Sequence, residues 1–336
     1  MLNIGIIGAG RIGKVHGESI KFHVKDARVA AIADSYWTEE ARQWAKEMDF
    51  PTYDDYHDIL NDPSIDAVMI CSSTQTHAPI SIEAIQAGKH VFCEKPISKD
   101  LGEIKAVMEA LAKTDVKYQV GFNRRFDHNF RAVRDAVTSG KVGDVHIVKI
   151  TSRDPDAPPI EYVKVSGGIF LDMTIHDFDM ARYLTGSDVE EIYVNGGVLV
   201  DPKIGEAGDI DTAIITMKLK NGALAVIDNS RKAAYGYDQR AEVFGSKGQV
   251  AVANDTQSSA VISTADGVVG EKPLYFFLER YMESFAREVS EFTEAIINDT
   301  PVPVTVTDGL QAVLIGMAAG KSFKENRPVK LSEIQF

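Results

Sequence analysis

The sequence predicts an α/β protein: a doubly wound parallel sheet near the start, then an α+β domain with a large, mostly antiparallel open sheet. Three observations carry this expectation. From Met1 to about Val120 short apolar runs alternate with amphipathic helical stretches, the rhythm of a parallel sheet with helices on both faces. After Gly143 strand-like runs follow one another with hairpin turns between them. The first apolar run, Asn3-Ile4-Gly5-Ile6-Ile7, empties into Gly8-Ala9-Gly10-Arg11-Ile12-Gly13, a Gly-x-Gly-x-x-Gly turn leading into a helix.

In that turn Gly8 permits the tight bend, Gly10 lets a pyrophosphate approach the main chain, and Gly13 lets the next helix pack close to the strand. Glycine triplets recur by chance, so context matters. The second apolar run, Val29-Ala30-Ala31-Ile32-Ala33, ends in Asp34, about 20 residues after Gly13, where a ribose-binding carboxylate belongs in a dinucleotide site. Helices are expected over 13–22, 38–48, 79–87 and 102–112, and strands over 67–70 and 90–92. In the second half strands are expected over 146–152, 192–200, 211–218, 224–229, 240–244 and 260–264. Lys220-Asn221-Gly222 and Gly245-Ser246-Lys247-Gly248 supply hairpin signals. Two helices, 278–298 and 308–326, close the pattern on either side of Pro301-Val302-Pro303. In the 211–219 strand Ile215, Met217 and Leu219 share one face, yet Ile214 on the other is also apolar. A partner subunit covering that face and ordinary isolated surface residues both account for it.

At 336 residues, with 44% hydrophobic residues, the chain suits two folded domains. A net charge of -13 without a Lys/Arg cluster argues against nucleic-acid partners, so small molecules are expected. No apolar run approaches membrane-spanning length. The first strand begins at Asn3, leaving no room for a leader, and a cytoplasmic location is expected. Cys71 and Cys93 close strand-like runs without metal-type spacing and are expected reduced in the sheet core.

Two further segments carry chemistry. In His90-Val91-Phe92-Cys93-Glu94-Lys95-Pro96 a lysine stands at the carboxyl end of a strand, where ligands of doubly wound sheets bind, and proline fixes the turn. A plain surface Glu-Lys pair is the alternative, and the isomer of the Lys95-Pro96 bond is open. In Ser166 to Leu184, Asp172 and His176 are four apart on a helical pattern, which places a carboxylate and an imidazole on one face. Oxidising an alcohol needs a base for the hydroxyl proton, a role suited to histidine with its ordinary pKa of about 6.5. A structural histidine is the alternative; a metal held by His176 with Asp172 or Asp179 lacks further His or Cys ligands nearby, and no metal is expected. Ser72-Ser73-Thr74-Gln75-Thr76-His77 follows the 67–70 strand, either along a nicotinamide ribose or as a polar cap on the next helix.

Together Gly8–Gly13, Glu94-Lys95-Pro96, Val120-Gly121-Phe122-Asn123-Arg124-Arg125-Phe126-Asp127 and Gly167-Gly168-Ile169-Phe170-Leu171-Asp172-Met173-Thr174-Ile175-His176-Asp177 resemble, in order and spacing over essentially the whole chain, the glucose-fructose oxidoreductase and inositol dehydrogenase family. Within it, Ser152-Arg153-Asp154-Pro155 followed by Tyr162 to Asp179 is most similar to bacterial inositol 2-dehydrogenases. The resemblance implies a Rossmann NAD-binding domain over 1–120 and a substrate-binding and oligomerisation domain over 121–336. It implies NAD-dependent oxidation of myo-inositol at its axial hydroxyl to the 2-ketone, in inositol catabolism, by a homotetramer joined through the second-domain sheets.

Carried over residue by residue, the resemblance implies that Lys95 hydrogen-bonds the reacting oxygen, His176 is the general base, and Asp172 holds a substrate hydroxyl and orients the imidazole. Arg125 and Asp154 would line the polyol site, with Tyr235 or Tyr237 adding a hydroxyl contact. The expected cofactor-binding residues are Gly8, Gly10, Arg11, Ile12, Gly13, Asp34, Ser72, Ser73, Thr74, His77, Glu94 and Lys95. Asp34 favours NAD over NADP by repelling a 2'-phosphate, although Arg11 could hold one. Open alternatives are the same chemistry on scyllo-inositol, D-chiro-inositol or an aldose, and a non-catalytic dinucleotide sensor.

Overall fold

The computed structural model describes residues 1–336. The chain forms two compact units, Met1–Phe126 with Met282–Gln311 and Phe336, and Asp127–Tyr281 with Ala312–Gln335.

The first unit carries strands β1 (Leu2–Ile7), β2 (Ala27–Ala33), β3 (Thr52–Tyr53), β4 (Ala67–Ile70), β5 (His90–Glu94) and β6 (Tyr118–Gly121). They form one sheet in the order β3-β2-β1-β4-β5-β6, and all pairings are parallel. Between them lie α1 (Arg11–His23), α2 (Glu39–Glu47), α3 (His57–Leu60), α4 (Thr74–Gln86) and α5 (Leu101–Leu111). The order of the strands reverses direction between β1 and β4, so the turns after these two strands flank a crevice at their carboxyl ends. Helix α4 starts five residues earlier than expected and contains Pro79. Residues 74–77, expected as loop, are therefore its first turn.

In the second unit the Asp127 carboxylate accepts the Asn129 and Phe130 amides at the start of α6 (His128–Thr138). Strand β7 (Val145–Arg153) follows, then α7 (Ile160–Ser166), α8 (Ile169–Asp172) and α9 (Ile175–Thr185). Next come β8 (Val189–Gly197), α10 (Pro202–Glu206), β9 (Thr212–Leu219), β10 (Leu224–Ser230), β11 (Asp238–Gly245) and β12 (Gly248–Val252). With β15 (Val329–Lys330) these strands build a seven-stranded sheet, β12-β11-β7-β10-β9-β8-β15. Every pairing is antiparallel except β7 with β10, which is parallel. In β9, Ala213, Ile215, Met217 and Leu219 are buried, while Ile214 is 46% exposed. On the open face Phe244, Ile147 and Leu224 stand opposite one another across β11, β7 and β10 and are also exposed.

The run expected at 260–264 does not join this sheet. Strand β13 (Val261–Thr264) pairs only with β14 (Gly267–Gly270) in a separate hairpin. Its apolar residues are exposed, so periodicity marked a strand without revealing its partner. The helix expected over 278–298 is two helices, α11 (Phe277–Arg280) and α12 (Met282–Ile297), with Tyr281 between them. The last helix is α13 (Val306–Glu325).

The chain crosses the boundary expected at residue 120, because 282–311 belong to the first unit. The apolar face of α12 explains this. Val289 and Phe292 are fully buried in the cluster of Ile4, Ile6, Met69 and Phe92, and the Phe292 ring meets that of Phe92 edge-on at 5.9 Å. Substituting Phe292→Ala should destabilise the first unit by about 3–5 kcal/mol; a urea titration of this variant that leaves the first transition in place would show that α12 contributes little there.

Candidate functional site

The cofactor side is built from the turn between β1 and α1. Gly8 has φ +106, a left-handed conformation that a side chain resists. A Cβ on Gly13 would stand 1.9 Å from the Gly8 carbonyl oxygen, whereas one on Gly10 would meet nothing within 4 Å. Helix packing thus requires Gly13, and the open side of the turn lies at Gly10. Helix α1 begins here with no side-chain cap and no acidic residue in its first turn, so its amide end suits an anion. Arg11 is exposed at this end and Ile12 half-buried.

Asp34, just beyond β2, ties the turn down. Its two oxygens accept the Ala9 amide at 2.7 Å and the Tyr36 amide at 2.7 Å. A carboxylate has about four acceptor positions, which leaves capacity for ribose hydroxyls. After β4, Ser72 Oγ lies 2.6 Å from Thr76 Oγ1, Ser73 is the residue before α4, and Thr74 opens the helix. His77 is buried, with Nδ1 2.8 Å from the Pro96 carbonyl and Nε2 3.0 Å from the Ser72 carbonyl. Both ring nitrogens face acceptors, so the ring is suited to carry two protons. Burial pushes its pKa down, but the neighbouring Cys93 and the two carbonyls outweigh it and raise the pKa to about 9. His77 thereby fastens the loop after β4 to the turn after β5.

That turn holds Lys95, half-buried, and a cis Lys95-Pro96 bond. Glu94 is buried, with Oε1 2.8 Å from His16 Nε2. Arg125 is buried in the same unit, 2.9 Å from Asp308. Burial raises the pKa of Asp308, but Arg125 and the Thr305 amide and hydroxyl outweigh it and hold the carboxyl at about 2.

The second unit supplies the other residues. Asp172 and His176 are not on one continuous helix: α8 ends at Asp172 and α9 begins at Ile175. The Ile169 carbonyl accepts both the Met173 and the Thr174 amides, so the helical ladder skips a residue there. The Thr174 hydroxyl, donating to Asn229 Oδ1 at 2.7 Å, holds the break. Asn229 also donates to Asp177 Oδ2 at 2.9 Å and to the Ser152 carbonyl at 3.2 Å.

Asp172 receives the Tyr162 hydroxyl at 2.7 Å and the Arg231 guanidinium at 2.8 Å. Arg231 also reaches Asp154 at 3.5 Å. The parallel register explains this meeting: β7 and β10 end together at Arg153 and Ser230, so the next residues, Asp154 and Arg231, leave the sheet at one edge. The half-buried Asp209 adds a carboxyl, its pKa raised first by burial. It accepts the Ile169 amide at 3.0 Å. Arg231 is itself buried, and a buried cation among three carboxyl groups is a strong orienting contact. Tyr235 is exposed and donates to Asp238 at 2.5 Å, whereas Tyr237 is buried with its ring on Phe276 and Tyr281.

Residues 2–122 match the model described as "Oxidoreductase family, NAD-binding Rossmann fold", and residues 130–251 match the GFO/IDH/MocA C-terminal domain. The chain is 48% identical over 334 residues to a myo-inositol 2-dehydrogenase of Thermotoga maritima, covering 99% of each chain. It belongs to this family of NAD-binding oxidoreductases. Among solved structures, a putative myo-inositol dehydrogenase of Sinorhizobium meliloti superposes with a TM-score of 0.95 at 43% identity, covering 98% of this chain and 100% of the other. A scyllo-inositol dehydrogenase of Lactobacillus casei with bound NAD(H) and scyllo-inositol gives 0.91 at 32% identity, covering 99% of each chain.

The turn fits the NAD of this oxidoreductase family, because the uncapped start of α1 and the open side of Gly10 are what a pyrophosphate needs. The sequence patterns present Tyr162 only as a family marker, and they miss Arg231, Asp209 and Asn229, which lie outside any motif and meet Asp172, its neighbours or its helix break only through folding.

The raised pKa of His77 has a defined sign. Its contribution to stability is fully present below about 6.5 and is lost as pH rises through about 9. A pH series of melting curves should therefore show the wild type losing stability over that range relative to His77→Phe; parallel curves would rule out a charged ring. Substituting Arg231→Met should lower kcat/KM by roughly 10²-fold by releasing Asp172, measured under conditions where the variant's circular dichroism matches the wild type.

Proposed function

We propose that this oxidoreductase converts myo-inositol to scyllo-inosose by oxidising its axial hydroxyl, with NAD as acceptor, in inositol catabolism. The observation that carries this is full-length similarity at 48% identity to a myo-inositol 2-dehydrogenase, with Lys95, Asp172 and His176 all present.

Bound NAD supplies the ring that accepts hydride from the carbinol carbon. Lys95, at the carboxyl end of β5, donates a hydrogen bond to the reacting oxygen. His176 takes the hydroxyl proton as the carbonyl forms. Asp172, oriented by Tyr162 and Arg231, accepts from a neighbouring hydroxyl and keeps the imidazole aligned. A cyclitol offers a hydroxyl on every carbon, so directional groups such as Asp154 and Tyr235 select among stereoisomers by the cost of leaving one unpaired. Gly8, Gly10, Arg11, Ile12 and Gly13 hold the pyrophosphate. Asp34 takes the adenosine ribose and disfavours NADP, and Ser72, Ser73 and Thr74 line the path of the nicotinamide ribose. His77 and Glu94 complete the cofactor-binding set, and Arg125 lines the polyol site. Similarity to the scyllo-inositol enzyme makes scyllo-inositol the second substrate to test. The active form we infer is a cytoplasmic homotetramer, supported by the exposed row Phe244, Ile147, Leu224 on the second sheet and by two free, buried cysteines.

Initial NADH formation should be fastest with myo-inositol and NAD, compared with scyllo-inositol, D-chiro-inositol, glucose and NADP. Lys95→Met and His176→Ala should each lower kcat by about 10²–10⁴-fold while fluorescence titration shows NAD still bound. A faster rate with another polyol overturns the substrate, and full activity in either variant overturns the mechanism. Light scattering should give the mass of four chains, falling on Phe244→Asp; a monomeric wild type would remove the assembly.

A further inference from the structure

Behind the strand end that carries Lys95, the first unit buries three ionisable side chains from three elements: His16 on α1, Glu94 on β5 and Glu288 on α12. Their donor and acceptor atoms lie within 4.8 Å of one another. Both His16 and Glu288 are 0% exposed. The 2.8 Å line from His16 Nε2 to Glu94 Oε1 is the length of a direct hydrogen bond. The His16 ring is held edge-on between Phe92 at 5.1 Å and Phe285 at 5.7 Å, which fixes the direction of that bond.

On its other side Glu94 is equally confined. A Cβ at Gly121 would meet its Oε1 at 3.0 Å, so the carboxyl packs against the β6 main chain, and its Oε2 accepts the Lys95 amide at 3.3 Å. Neither oxygen of Glu288 has a hydrogen-bond partner in the protein, although the carboxyl points into the cluster. Gln119 of β6 donates to the Glu288 main-chain carbonyl at 3.0 Å and so pins this turn of α12.

We propose that His16 and Glu288 are positioning residues for Lys95, acting through Glu94: the imidazole from one side and the Glu288 carboxyl from the other hold the Glu94 carboxylate that sets the backbone of the lysine. This rests on the role given to Lys95 above. The chemistry follows from burial. Two carboxylates within 4.8 Å in a closed interior repel each other in a medium with little screening, and one proton between them removes the repulsion. Glu288 holds it, because burial first and the charge of Glu94 second raise its pKa well above the ordinary carboxylate range. The other titratable group facing both carboxyls is Cys71 at the end of β4. Its thiol pKa is raised well above normal by burial, then by Glu94, Cys93 and Glu288, so it contributes no charge near neutral pH.

A protonated Glu288 leaves Glu94 as the one charged carboxyl of the pair, and a glutamine is the same shape and permanently neutral. Glu288→Gln should therefore keep at least roughly half of kcat, whereas Glu288→Met and His16→Leu should each lower kcat about tenfold or more with KM for NAD little changed. A protonated-carboxyl band should appear in the infrared spectrum of the wild type near about pH 7 and vanish in Glu288→Gln. Because a raised carboxyl pKa costs stability as pH rises above the ordinary value of about 4.5, Glu288→Gln should also melt higher than wild type near neutral pH. Lys95→Met is measured in parallel. Activity surviving in Lys95→Met would sink the role of the lysine itself. An inactive Lys95→Met beside fully active His16→Leu and Glu288→Met would overturn only the positioning. Absence of the infrared band, or equal losses in Glu288→Gln and Glu288→Met, would overturn the part given to a neutral Glu288.

Discussion

The contact between Gly13 and the Gly8 carbonyl is the constraint on which the first unit is organised. With no room there for even a methyl group, α1 descends directly against the end of β1, which sits mid-sheet between β2 and β4. That closeness sets the amide end of α1 over the carboxyl edge of the sheet and lets Asp34 reach the Ala9 amide from β2. It also brings His16, one turn along α1, against Glu94 at the end of β5. One steric requirement thus couples the glycine turn after β1 to the strand that presents Lys95.

The second unit solves a different problem, that of burying or half-burying several acidic side chains. Uncompensated burial of a carboxylate is costly, and the fold answers with fixed donors. Asp172 has Tyr162 and Arg231, and Asp177 has Asn229. The fully buried Asp211 accepts the amides of Leu199, Val200 and Asp201, which hold its pKa low against the opposing effect of burial. The single parallel pairing, β7 with β10, makes the arrangement around Arg231 possible, since antiparallel neighbours would send the residues after β7 and β10 to opposite edges.

Much of this was legible in the chain itself. Strand and helix rhythm located the parallel sheet, and the turn from Gly8 to Gly13 marked the cofactor side, because both are local consequences of side-chain size and spacing. Local signals failed where a residue's state depends on a distant partner. Periodicity ran Asp172 and His176 into one helix, yet the Thr174 bond to Asn229, 55 residues away, holds a break between them. Periodicity also marked Val261–Thr264 as a strand, but only pairing decides whether it enters the sheet.

The sequence by itself determined the fold class, the dinucleotide turn and the family motifs, since glycine geometry, apolar periodicity and short-range spacing are written within a few residues of each position. Tertiary structure decided that α12 returns to the first unit, that Arg231 and Tyr162 orient Asp172, and that Glu288 is buried beside Glu94. Those outcomes arise from packing and pairing between segments far apart in the chain, where burial changes the cost of a charge and no neighbouring residue announces it.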